Sequence, residues 1–104
     1  MTAIGLGLDT TFDDTSVAIL RGKREILANL TLSQYKEHEE FGGVVPERAS
    51  RKHLEVIHHI IAGALKESDL DYSGIDYIAV SNYPGLLGSL LVGLTVAKSL
   101  AYSL

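Results

Sequence analysis

Three carboxylates and four hydroxyls crowd into one short stretch near the N-terminus: Asp9, Asp13 and Asp14 with Thr10, Thr11, Thr15 and Ser16. Apolar residues flank them, Ile4, Leu6 and Leu8 before and Val17 to Leu20 after. The pattern predicts a strand, a tight polar turn and a second strand. Such a tip presents backbone N–H groups in a concavity that suits an anion. Its carboxylates suit a hard cation such as Mg²⁺, which travels with phosphate. The plainer alternative is a solvated turn, because Asp and Thr are ordinary turn residues. Asp9, Thr10, Thr11, Asp13 and Asp14 are the candidate phosphate-binding residues.

Other motifs fall away on spacing. Of the four histidines, His53, His58 and His59 lie on one predicted helix, with intervals of five, six and one. Two helical metal ligands need to sit three or four residues apart. No His-x-x-x-His or His-Glu-x-x-His pair is present. His58 is expected to be packed, His59 solvated and His53 more open. The glycine-rich run after Pro84 lacks the Gly-Lys-Ser/Thr ending of a phosphate loop, since Leu94 follows Gly93. Gly5 and Gly7 have no third glycine in place for a dinucleotide fingerprint. Spacing assigns no Ser-His-Asp arrangement.

The elements that must position the tip follow from periodicity. Residues 3–9, 15–20 and 25–33 read as strands joined by short turns, hence antiparallel. In the third, Ile26, Ala28, Leu30 and Leu32 share one face. An irregular loop covers 34–45. Pro46 suits a first helical turn, with Glu47 beside the positive end of the dipole. That helix should end near Glu67. Ala49, Leu54, Val56, Ile57, Ile60, Ile61, Ala64 and Leu65 give it a broad apolar stripe. Residues 75–80 read as a fourth strand, parallel to the first. A second helix is expected over 86–104.

This order is βββαβα, an α/β fold with a mixed sheet and packed helices. The fourth strand beside the first brings Gly85, at a helix start, close to the polar tip. A helix N-terminus there adds an anion-friendly dipole. Glu47, Arg51 and His53 are candidates for the rim of the same cleft.

Lys98 is the only charge between Leu86 and Leu104. The segment approaches the ~20 apolar residues of a membrane span. Its serines and the internal lysine favour burial in protein instead. Ser89, Gly93, Ala97 and Ala101 recur every four residues as a smooth face that lets another backbone approach. They are the candidate interface. The chain stops on this apolar helix, so it is expected to be the front part of a longer protein.

The totals bound the rest. The 104 residues, 46% hydrophobic and 21% charged, suit one soluble domain. Without cysteine there is no disulfide, thiolate zinc site or cysteine nucleophile. A net charge of −4 is not the footprint of a nucleic-acid binder. No basic leader precedes an apolar run, so the expected setting is cytoplasmic, without membrane.

Three segments together resemble a known family. They are Gly7 to Ile19, then Gly-Gly-Val-Val-Pro-Glu-Arg-Ala-Ser-Arg-Lys-His ending at His53, then Pro84 to Gly93. In order and spacing they are similar to TsaD, the tRNA adenosine threonylcarbamoyltransferases once labelled glycoproteases (Gcp, YgjD-like). The resemblance covers essentially the whole chain. It implies the N-terminal part of an actin/Hsp70-like (ASKHA, RNase H-like) lobe, whose first hairpin is the phosphate loop. It implies transfer of threonylcarbamoyl from its adenylate to the adenosine next to the tRNA anticodon. It also implies TsaB and TsaE partners, tRNA, and pairing with a TsaB paralogue through the two helices. Asp13 and Asp14 match the family's acidic pair. Phe12 and Tyr83 depart from it, where the family has Cys and Gly.

The family's divalent metal (Fe or Zn) is held through residues absent here, so no metal ligand and no catalytic residue are assigned. Mg-nucleotide remains a candidate ligand. This piece is expected to fold without turning over alone. The rival expectation is a non-catalytic, TsaB-like dimerisation module. A protease rests on the old label only, with no nucleophile–base pair.

Overall fold

A computed structural model describes residues 2–12, 14–34 and 46–103. Asp13, most of the expected loop and Leu104 lie outside the described residues. Three strands open the chain: β1 (Ile4–Asp9), β2 (Asp14–Arg21) and β3 (Glu25–Ser33). They are followed by α1 (Pro46–Glu67), β4 (Tyr77–Val80) and α2 (Leu87–Ser103).

The sheet order is β3-β2-β1-β4. β1 pairs antiparallel with β2, and β2 with β3. β4 runs parallel to β1, with Leu8 opposite Val80. Alternation along the strands sends Leu6, Leu8, Thr15, Val17 and Ile19 to one face, where all are buried. α1 packs on that face against β2 and β3, and α2 against β4, β1 and α1. Ile57, Ile61, Ala64 and Leu65 of α1 and Ala97 of α2 complete one core with Leu6, Val17, Ile19 and Ala28. Both helices therefore cover the same face. Among the described residues, no helix covers the other.

β3 departs from the expected alternation. The register jumps from Ile19↔Ala28 to Leu20↔Ile26, leaving Leu27 as an extra residue. This bulge flips the face of the strand's first turn. Leu27 packs toward the core, and Ile26 is exposed.

The buried row of α1 is narrower than expected. Ala49, His53, Ile57 and Ile61 lie along it at four-residue steps. Leu54, placed in the apolar stripe by sequence, is 62% exposed. His58 is exposed rather than packed, its ring 4.0 Å from that of His59. The helix ends where Asp69 enters the left-handed region at φ 57°. The Leu70 N–H then closes on the Leu65 carbonyl at 2.9 Å. Asp tolerates that conformation better than most residues.

β4 starts two residues later than expected. A single 3-10 turn (Tyr72–Gly74) uses the backbone before it, capped by Asp71.

Candidate functional site

The polar tip between β1 and β2 is divided by strand alternation. Asp9 turns toward the uncovered sheet face. There it lines a groove of about 320 Å³ with Gly7, Ser16, Ala18, Ala79 and Ser81. Asp14 is exposed and shares the parity of Ser16, which places it on the same face. One Asp9 carboxylate oxygen accepts the Thr11 N–H at 3.0 Å, an Asx turn that shapes the tip. The groove lies at the C-terminal ends of two neighbouring parallel strands, where α/β sheets bind their ligands. Its volume is at the small end of the range for ligand pockets.

Thr10 points the opposite way. It is fully buried, which corrects its expected place among the ligand-facing hydroxyls. Its hydroxyl donates to the Ser89 carbonyl at 2.6 Å and accepts the Gly93 N–H at 3.0 Å. Those two groups are the acceptor and donor of one i→i+4 helical step. A β1 side chain is thus built into the backbone of α2. Gly93 has to be glycine here, because a Cβ would lie 2.6 Å from the Thr10 hydroxyl.

Thr11 meets Gly85. The Leu86 N–H donates to the Thr11 carbonyl at 2.8 Å. A Cβ on Gly85 would fall 2.6 Å from that same oxygen. Tip and helix start are therefore in backbone contact, and only glycine permits the approach. Tyr83, which departs from the family pattern two residues before Gly85, is 85% exposed.

The rim residues separate. Glu47 and Arg51 are exposed at the start of α1. His53, expected to be open, is fully buried. Its Nε2 sits 2.8 Å from the Phe12 carbonyl and its Nδ1 2.7 Å from the Thr15 hydroxyl. A carbonyl only accepts, so in the neutral imidazole Nε2 carries the proton and Nδ1 accepts from Thr15. The Ser89 hydroxyl also donates to the Phe12 carbonyl, at 3.4 Å. One oxygen of the tip is therefore held from both helices. The four-residue spacing of Ala49, His53, Ile57 and Ile61 was the signal for this burial. A polar residue on an apolar row hid it.

The small-residue face of α2 is likewise internal. Ser89, Gly93 and Ala97 are buried against the chain's own tip and core, not left for a partner. Ala101 is exposed. A four-residue repeat drifts about 40° per step around an α-helix, so three steps carry Ala101 off the face. The large apolar side chains that α2 exposes are Leu87, Leu91 and Tyr102.

The metal implied by the family resemblance does not fit the described residues. Among them, no group of three or more His, Asp or Glu side chains converges on one point. No described helix is long and apolar enough to cross a membrane. A second concavity, at the far end of β4, is lined by Tyr72, Asp76, Tyr77, Ala101 and Ser103. Asp76 uses a carboxylate oxygen there on the Ile4 N–H at 2.7 Å.

The family model for TsaD, tRNA N6-adenosine threonylcarbamoyltransferase, matches residues 25–104. The enzyme of that name from Thermodesulfovibrio yellowstonii is 56% identical over 98 residues, 94% of this chain and 29% of its own length. The one from Syntrophomonas wolfei is 52% identical over 99 residues, 95% of this chain and again 29% of its own. This chain thus spans under a third of those relatives. Among solved structures, YeaZ from Pseudomonas aeruginosa superposes with a TM-score of 0.70 at 25% identity, over 97% of this chain and 39% of its own.

Proposed function

The chain belongs to the TsaD family of tRNA N6-adenosine threonylcarbamoyltransferases, and from that premise we propose that it supplies the phosphate-holding part of the cleft for threonylcarbamoyl transfer to tRNA. The observation that carries the proposal is the backbone contact between the tip and the start of α2, Leu86 N–H to Thr11 carbonyl at 2.8 Å. It sets the positive end of a 17-residue helix beside the acidic tip. An adenylate's phosphate finds a favourable field there. In this reading Asp9 and Asp14, which share the sheet face away from α2, are the carboxylates assigned to an accompanying Mg²⁺.

In this role the chain's residues bind and orient. Asp9 fixes the turn through the Thr11 N–H. Thr10 locks the tip to α2. Gly85 lets the two backbones close. Acceptor tRNA and a metal would be held by parts of the family's length that this chain does not span. The chain therefore binds nucleotide without turnover. Two assays test this. A thermal shift with Mg-ATP should appear and be lost in the Asp13→Ala, Asp14→Ala double variant. Incubation with threonylcarbamoyl-adenylate and tRNA should give no product, and turnover by this chain alone would refute the division of labour.

The second reading is a TsaB-like pairing module. It is favoured by the fold shared with YeaZ, the TsaB-type protein, and by the exposed Leu87, Leu91 and Tyr102 on α2. Light scattering that finds only monomer at high concentration would remove it.

A further inference from the structure

We infer that His53 is a positioning residue for the tip: its Nε2–H holds the Phe12 carbonyl inward, so that the rest of the turn is presented to ligand. This rests on the reading of the tip as a phosphate holder. His53 is wholly buried on the inner row of α1 and cannot itself touch a ligand in the groove. Its ring spans two points on either side of the turn, the Phe12 carbonyl at 2.8 Å and the Thr15 hydroxyl at 2.7 Å.

The chemistry of the three groups makes the arrangement directional. Phe12 offers a carbonyl that only accepts, so the neutral imidazole is held as the Nε2–H tautomer. The Thr15 hydroxyl then donates to Nδ1 and fixes the ring plane. Ser89 adds a second, longer bond to the same carbonyl from α2. A carbonyl has two lone pairs, and both have a donor here. The Phe12 carbonyl is thus clamped before any ligand arrives. Preorganisation of this kind lowers the ordering cost of binding. The Phe12 side chain itself is half exposed, so the clamp acts through the backbone and tolerates a change of residue at that position.

The variants separate the two ring nitrogens. Gln reaches the Nε2 position and can donate to the Phe12 carbonyl. Asn reaches only the Nδ1 position and can accept from Thr15. In the 104-residue chain, His53→Ala and His53→Asn should weaken Mg-ATP binding about tenfold, the scale of one buried hydrogen bond. His53→Gln should restore most of it. Imidazole ¹⁵N shifts of the unsubstituted chain should show the Nε2–H tautomer, and Thr15→Val should disturb it. Amide shifts of Thr11, Phe12 and Asp14 should move in His53→Ala and His53→Asn but stay close to the parent in His53→Gln.

If the parent binds no Mg-ATP, the phosphate reading fails on its own. The amide shifts then still decide whether His53 sets the tip. A folded His53→Asn variant with unmoved tip amides, or a parent ring in the Nδ1–H tautomer, overturns the inference. If His53→Ala does not fold, His53→Gln, His53→Asn and Thr15→Val carry the test.

Discussion

Thr10 joins two elements through one oxygen. Its hydroxyl is buried and both gives and receives a hydrogen bond with α2. Removing it leaves helix backbone groups without their buried partner, which costs about 1–3 kcal/mol. Urea unfolding of Thr10→Ala should show a loss of that size, and Thr10→Ser should recover most of it. Asp71 makes stability depend on pH in acid. The hydroxyl of Ser73 donates to its carboxylate, and the Ser73 N–H does so at 2.9 Å, which holds the carboxyl below its ordinary range. A carboxylate lowered on folding contributes above its unfolded value and loses that contribution as pH falls through the folded one. Asp71→Asn keeps an acceptor for the cap but cannot titrate. Its stability should therefore fall less steeply than the parent's below about pH 4, the ordinary carboxylate range, in unfolding curves taken across acid pH. Residue types announced the tip but not its sidedness. Asp9 and Thr10 look equivalent in sequence, yet alternation sends one to the groove and the other into α2.

At the scale of elements, periodicity carried most of the fold. The period of two marked β1 to β3, and Pro46 with Glu47 marked the start of α1. The short turns forced antiparallel pairing, and the helical crossover forced β4 parallel to β1. What remained hidden was orientation within each element. Leu54 and Ile57 are both apolar, but only Ile57 lies on the row that His53 and Ile61 define. Hydrophobic type alone did not say which side of a wide stripe would be covered. The bulge at Leu27 is another case, since nothing in residues 25–33 signals an extra residue except the partner strand it must match. The row makes a paired prediction. Ile61→Ala should cost about 2–5 kcal/mol in denaturant unfolding, as a buried large-to-small change does. Leu54→Ala, on the same helix but 62% exposed, should stay within about 0.5 kcal/mol. Equal losses would mean that α1 is rotated from its assigned face.

Among the described residues, both helices lie on one side of a four-stranded sheet, and the groove that Asp9 lines opens on the other. The two proposed roles therefore use different surfaces. Ligand binding uses the tip and the start of α2, and pairing uses the outer side of α2 farther along, at Leu91 and Tyr102. Leu91→Glu should abolish any self-association seen by light scattering and leave nucleotide binding intact. Loss of both together would mean that the surfaces are one.

The claim on which the rest depends is that the acidic tip and the start of α2 make one ligand site. Titrating Mg-ATP into the ¹⁵N-labelled chain and mapping amide shifts tests it most directly. The predicted result is a saturable change confined to Asp9, Thr11, Asp14, Ser81, Gly85 and Leu86. Changes gathered instead around Tyr72, Asp76 and Ser103, or no saturable change at all, would contradict it.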